Sequence, residues 1–310
     1  MRFLPVLFIV TILIPSCQSN NDQVMMKSLD DYPSASAIEY INGKLYITGD
    51  DATGILVLDT NLHTIDSIPL IDYPGKRIPK EIKPDLESSV YFHDKGTVLF
   101  LFGSGSLTPY RNNGWWYYFE TNIKDSMSLQ SLYTQIKKSG IKELNIEGAC
   151  ITNQYLVLSN RGNKSDPENH LVITDRNFWN NDSSFQITVI PVITDSDTSS
   201  FGGISGLCYA PEHDKLIMTV STEDTRNSFE DGAIGKSYLW IVNQISSKIH
   251  DKDIHPDRII DLEKIDSRFK GQKIESATVI RESKEQVQLV LVADNDKGSS
   301  SVFKLIIEYD

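Results

Sequence analysis

The chain has 310 residues, 40% of them hydrophobic and 23% charged, a balance that belongs to a folded globular protein rather than a disordered one. With 30 Lys and Arg against 42 Asp and Glu, the net charge is −12. That argues against nucleic acid, whose backbone needs a clustered basic face, and it disfavours a strongly anionic substrate unless a bound cation reverses the local field.

In chain order, Met1-Arg2 is followed by an apolar run, Phe3 to Ile14, and then Pro15-Ser16-Cys17 before the sequence turns polar at Gln18. The run has signal-peptide length and falls short of the ~20 residues that span a bilayer. It resembles a bacterial lipoprotein signal, with small Ser16 before a cysteine. That resemblance implies a signal peptide over 1–17, lipidation of Cys17, and an exported chain anchored by lipid in the cell envelope. An ordinary signal peptide with an incidental cysteine is the alternative, and it also exports the chain. Residues 18–33 read as a tether that contains a candidate ring-closing strand, Val24 to Leu29, and residues 34–310 as one folded domain. Cys150 and Cys208 sit in apolar runs and read as buried thiols, not as a bridge or a metal pair.

The body repeats a cassette of three short strands rich in β-branched and aromatic residues. One cassette runs from Ala35 through Leu45-Tyr-Ile-Thr48 to Ile55-Leu-Val-Leu58, and the next from Asp85 through Val98-Leu-Phe-Leu-Phe102 to Trp115-Trp-Tyr-Tyr-Phe119. Three more begin at Asn145, Gly203 and Lys273. The aligned anchors Ser36, Glu87, Glu147, Ser205 and Glu275 lie 51, 60, 58 and 70 residues apart. Several cassettes add a fourth strand, as in Thr64–Ile68 and Phe185–Ile190. The expected fold is all-β: a β-propeller of five four-stranded antiparallel blades, with room for a sixth between the fourth and fifth anchors. One segment, Ser128 to Lys138, is predicted as a helix, with Leu129, Leu132, Tyr133 and Ile136 on one face; it reads as decoration between blades.

In such a blade the inner strand starts at one rim of the axial channel, and the second strand returns to it. Glu87, Glu147 and Glu275 therefore face Asp50, Asp51, Asn160, Glu223, Asp224, Asp294, Asn295 and Asp296 at one mouth. Converging oxygen donors suit a hard cation such as Ca²⁺; the alternative is that each simply caps a turn.

Asn145-Ile-Glu-Gly-Ala149, Gly202-Gly-Ile-Ser-Gly-Leu207, and Ile274-Glu-Ser-Ala277 with Ala293-Asp-Asn-Asp296 resemble cassettes of the esterase-like phytase propellers. They are similar, more weakly, to those of the gluconolactonase and paraoxonase propellers, which hold an axial Ca²⁺. The resemblance implies a cation set of Glu147, Asn160, Glu275, Asp294 and Asn295, to which the repeat adds Glu87. It matches no nucleophile. The Gly-Gly-Ile-Ser-Gly-Leu cassette stands fourth here, where the resembled enzymes carry it early.

Other features read as structural. Ser205 lacks the spacing of a nucleophile elbow. Asp294 to Gly298 begins like a calcium loop, but Leu305 stands where an EF-hand needs Glu. His250 to His255 reads as a solvated connector, and Lys76, Arg77 and Lys80 as a basic inter-blade loop. Trp115 and Tyr110 are the surface candidates for stacking on a glycan. Two functions follow: a metal-assisted hydrolase of a small ester or phosphoester, or a non-catalytic cell-surface propeller that binds a protein or glycan partner.

Overall fold

The computed structural model describes residues 24–93, 96–180, 185–194, 201–223, 234–295 and 298–309. Cys17, Asp224 and Asp296 lie outside these residues.

The first strand, β1 (Val24–Leu29), belongs to the last blade. The first blade is β2 (Ala35–Ile41), β3 (Lys44–Gly49), β4 (Gly54–Asp59) and β5 (Thr64–Pro69), and the second is β6 (Leu86–His93), β7 (Thr97–Gly103), β8 (Asn113–Tyr118) and β9 (Ile123–Ser128). Helix α1 (Gln130–Lys138) leads to the third, β10 (Ile146–Ile151), β11 (Tyr155–Asn160), β12 (Asn169–Asp175) and β13 (Ile187–Val192). The fourth is β14 (Gly202–Ala210), β15 (Lys215–Glu223), β16 (Ile234–Val242) and, after the short helix α2 (Ile245–Lys248), β17 (Arg258–Asp261). A further short helix, α3 (Leu262–Ile265), precedes β18 (Lys273–Glu282), β19 (Gln286–Asp294) and β20 (Ser300–Glu308). Each sheet is antiparallel and runs in sequence order from the axis outward; in the fifth, β1 is the outermost strand.

The result is a five-bladed β-propeller. Inner strands touch in the cycle β2, β6, β10, β14, β18 and back to β2. The 70-residue spacing before the last anchor holds α2, β17, α3 and a 3-10 turn rather than a sixth blade. Val24 pairs with Leu305 and Leu29 with Ser300, so the N-terminal strand closes the ring and covers the edge that β20 would expose.

Second strands are apolar on consecutive residues because both of their faces are covered: every residue of β7 is buried, whereas β5 and β9 at the perimeter are largely exposed. The core is five apolar layers, one in each gap between neighbouring blades. Helix α1 is more than decoration. Leu129, Leu132, Tyr133 and Ile136 are buried in the layer between the second and third blades, and the Tyr133 hydroxyl donates to the Gly103 carbonyl. Among the described residues, no helix is long and apolar enough to cross a membrane.

Candidate functional site

The inner strand of every blade breaks register at one equivalent place: between Ala35 and Ala37, Leu86 and Ser88, Ile146 and Gly148, Ile204 and Gly206, and Ile274 and Ser276. The residue bulged out is the repeat anchor itself: Ser36, Glu87, Glu147, Ser205 or Glu275. A bulge leaves one residue unpaired and re-aims its side chain, which gathers the anchors at one end of the channel. The residue after each bulge is small (Ala37, Ser88, Gly148, Gly206 and Ser276) because adjacent inner strands nearly touch. A Cβ on Gly206 would stand 2.5 Å from the Glu275 carbonyl oxygen, and one on Gly148 2.8 Å from the Gly206 carbonyl carbon.

Most carboxylates at this mouth are neutralised by cations. Arg161, the residue after β11, places Nη1 3.2 Å from Glu147 Oε2 and donates from the same nitrogen to Ser205 Oγ at 2.8 Å. Its Nη2 donates to Ser221 Oγ at 3.2 Å, and Asn145 Nδ2 donates to Glu147 Oε1 at 2.7 Å. Glu275 Oε1 lies 3.0 Å from Lys273 Nζ. Asp51 Oδ2 accepts from Arg77 Nε at 2.7 Å. Asp85, with its backbone in the left-handed region at φ 57°, takes Arg111 Nη1 on one oxygen and Lys83 Nζ on the other, both at 2.7 Å. Lys83 also pairs with Asp50.

Glu87 differs. Among the described residues its carboxylate makes no hydrogen bond or ion pair, yet an oxygen of it lies within 4.8 Å of oxygens of both Asp50 and Asp85. Burial, then the charges of Asp85, Glu147 and Asp50, push its carboxyl well above the usual range, with Lys83 opposing them. Burial opposes the charge of Lys83, but Asp50, Asp85 and Glu87 outweigh it and hold the ammonium above the ordinary lysine range. The cluster thus contains a carboxyl biased towards its protonated form beside a permanent cation, an arrangement able to donate a proton or a strong hydrogen bond to a bound molecule.

The six residues marked out as cation ligands do not form one set. Glu87 and Glu147 share the mouth and feel each other's charge. Glu147 and Glu275 each face a cationic partner. Asn160 is turned to the chain, accepting from the Asn145 amide at 2.7 Å and donating to the Glu143 carbonyl at 3.1 Å. Asn295 donates to Ser299 Oγ at 2.8 Å, and Asp294 accepts from the Asn295 amide at 2.7 Å. The carboxylates that do meet are Asp50, Asp85 and Glu87.

Lys83 and Arg111 carried no sequence signal: Arg111 meets Asp85 across 26 residues of chain, and Lys83, two residues from Asp85, reaches Asp50 across 33. The loop of Lys76, Arg77 and Lys80 is pinned to the first blade, where the Ile78 amide donates to the Asp51 carbonyl at 2.8 Å. Trp116 and Tyr117 are buried, whereas Trp115, Tyr110 and Tyr73 line a groove of about 430 Å³ bounded by Ile82 and Pro84, the chain neighbours of Lys83 and Asp85. Cys150 and Cys208 are free buried thiols.

Among solved structures, the glutaminyl cyclase of Myxococcus xanthus superposes with a TM-score of 0.51 at 8% identity, covering 93% of this chain and 97% of that one. A DUF4221 member from Bacteroides vulgatus gives 0.42 at 12% identity, with coverage of 93% and 97%. Virginiamycin B lyase from Staphylococcus aureus gives 0.39 at 9% identity, with coverage of 91% and 99%. At 8% identity the likeness to the cyclase is one of fold alone. No curated protein matches the sequence. One family model spans nearly the whole propeller, residues 31–307. On that match, the chain belongs to DUF6929, a family of unknown function.

Proposed function

We propose that the anchor-bearing mouth of the channel binds a small polar molecule and exchanges a proton with it through Glu87, in a chain that is exported and held in the cell envelope by lipid on Cys17. The observation that carries the site reading is the isolation of Glu87: it is bulged into the mouth, without a hydrogen-bond or ion-pair partner among the described residues, and set against Asp50, Asp85 and Lys83. The neutral carboxyl donates to an oxygen that gains negative charge, and Lys83 stabilises that charge as it develops. The phytase-like cassettes make an ester or phosphoester hydrolase the first class to test. The groove of Tyr73, Tyr110 and Trp115 supplies an apolar surface for the rest of the substrate.

The test is a panel of carboxylic esters and phosphoesters offered to the chain beginning at Gln18. Any turnover found should fall about 10²- to 10⁴-fold in Glu87→Gln. Turnover retained in that variant removes Glu87 from the chemistry.

A second reading keeps Ca²⁺, favoured by the approach of the Asp50, Asp85 and Glu87 oxygens. These three residues would hold the ion, and it would polarise a substrate oxygen. Lys83 contests that position, because its ammonium pairs with both aspartates. Thermal melts in EDTA and in millimolar Ca²⁺ separate the readings: a site filled to about 100 times Kd adds about 2.7 kcal/mol. If lysine is the resident cation, Lys83→Met gains a Ca²⁺-dependent shift that the parent lacks; if calcium is, the parent shifts as well.

A further inference from the structure

The repeat that gathers the anchors at one mouth builds a different ring at the other. Three residues beyond the anchors stand Glu39, Val90, Cys150, Cys208 and Thr278, one from each inner strand, and all five line a cavity of about 620 Å³ at the far end of the channel. We infer that this second mouth binds small organic cations, with a primary ammonium group seated on the Glu39 carboxylate at the floor and the organic part lying against Tyr40, Tyr91 and the apolar wall.

Glu39 is the acid of that ring, and no cationic side chain pairs with it among the described residues; Ser89 Oγ donates to its Oε1 at 3.3 Å. A carboxylate taken out of water without a counter-ion is costly, and a fitted cation is what relieves it. The protein instead carries Glu39 as an acid, burial pushing its carboxyl up to about 8. The titratable groups that feel its charge directly are not cationic. Tyr91 faces it from β6, Cys150 from β10 and Cys208 from β14, and burial pushes all three above their ordinary values, so they are neutral near pH 7. Besides Glu39, the charged groups among the lining residues are Arg176, Arg281, Glu212 and Glu282, two of each sign, and His93 lines the cavity as well. The cavity has the size of a small-molecule site, and Tyr40 and Tyr91 offer rings to an ammonium by cation–π contact. Tyr91 is 40% exposed although it lies on an inner strand.

Seating the ligand follows a balanced exchange: R–NH₃⁺ and the Glu39 acid give the R–NH₃⁺/carboxylate pair and one proton to solvent. Below its pKa the affinity should therefore rise about tenfold per pH unit and level off above it. The experiment is calorimetric titration of the full chain with benzylamine, and with benzyl alcohol as its neutral counterpart, at pH 6, 7 and 8 in buffers of different ionisation enthalpy. The expected result is saturable binding of benzylammonium alone, release of nearly one proton at pH 7, and a loss of about tenfold or more in Glu39→Gln. Failure to bind, equal binding of benzyl alcohol, or binding that releases no proton overturns the inference. If Glu39→Gln does not fold, proton release by the parent chain decides alone.

Discussion

Arg161 Nη1 lies 3.2 Å from Glu147 Oε2, so the residue that follows β11 in the third blade neutralises the anchor on the neighbouring strand β10. The same guanidinium reaches Ser205 and Ser221 of the fourth blade. It ties two blades together at the anchor-bearing mouth, and both members of the ion pair are buried.

Removing one partner leaves the other charge buried without compensation, which costs about 3–5 kcal/mol. Arg161→Met should therefore lower the urea midpoint strongly, and adding Glu147→Gln should recover much of the loss. If the double variant is no more stable than the single one, Arg161 acts through packing alone.

The close approach of inner strands makes a single methyl group costly. In Gly206→Ala the new Cβ would meet the Glu275 carbonyl oxygen at 2.5 Å and Ser276 Cα at 2.9 Å, both backbone atoms that cannot rotate away. Overpacking of this kind costs about 1–3 kcal/mol. Chemical denaturation checks it; an unchanged midpoint would show that the ring widens freely at the axis.

Glu87 and Glu39 both carry carboxyls whose folded pKa lies above the ordinary value of 4.5, Glu39 at about 8. The folded state holds these protons more tightly than the unfolded chain. The associated stability is present below the unfolded pKa and is lost as pH rises through the folded one. Stability should thus fall between about pH 5 and pH 8, and fall less in Glu87→Gln, which cannot ionise. Parallel pH profiles for parent and variant would contradict the assignment at Glu87.

Ring closure rests on β1. A chain beginning at Asp30 would lack the partner of β20 and expose the unpaired backbone from Ser300 to Leu305. Such an edge recruits other strands, so the truncated protein should melt earlier and self-associate on size exclusion, whereas one beginning at Gln18 stays monodisperse. Equal behaviour of the two would assign closure to other contacts.

The amino-acid sequence by itself marked five blades, with room for a sixth, and a candidate closing strand. Both follow from local patterns, in that consecutive apolar runs report strands covered on two faces, and a repeat with one strand missing at its end requires one from elsewhere. It also marked the five anchors, though not the reason for them, which is a bulge in each inner strand. What only the tertiary structure decided was which anchor is chemically distinctive. Glu87, Glu147 and Glu275 are equivalent along the chain, but Arg161 and Lys273 neutralise two of them, while Lys83 pairs with Asp50 and Asp85, Arg111 pairs with Asp85, and Glu87 has no ion pair among the described residues. Glu39, three residues past an anchor, had no more claim to notice than Val90 or Thr278 until the ring closed around it. Charge pairing depends on where strand ends and loops place side chains in space, and a one-dimensional repeat records only spacing along the chain.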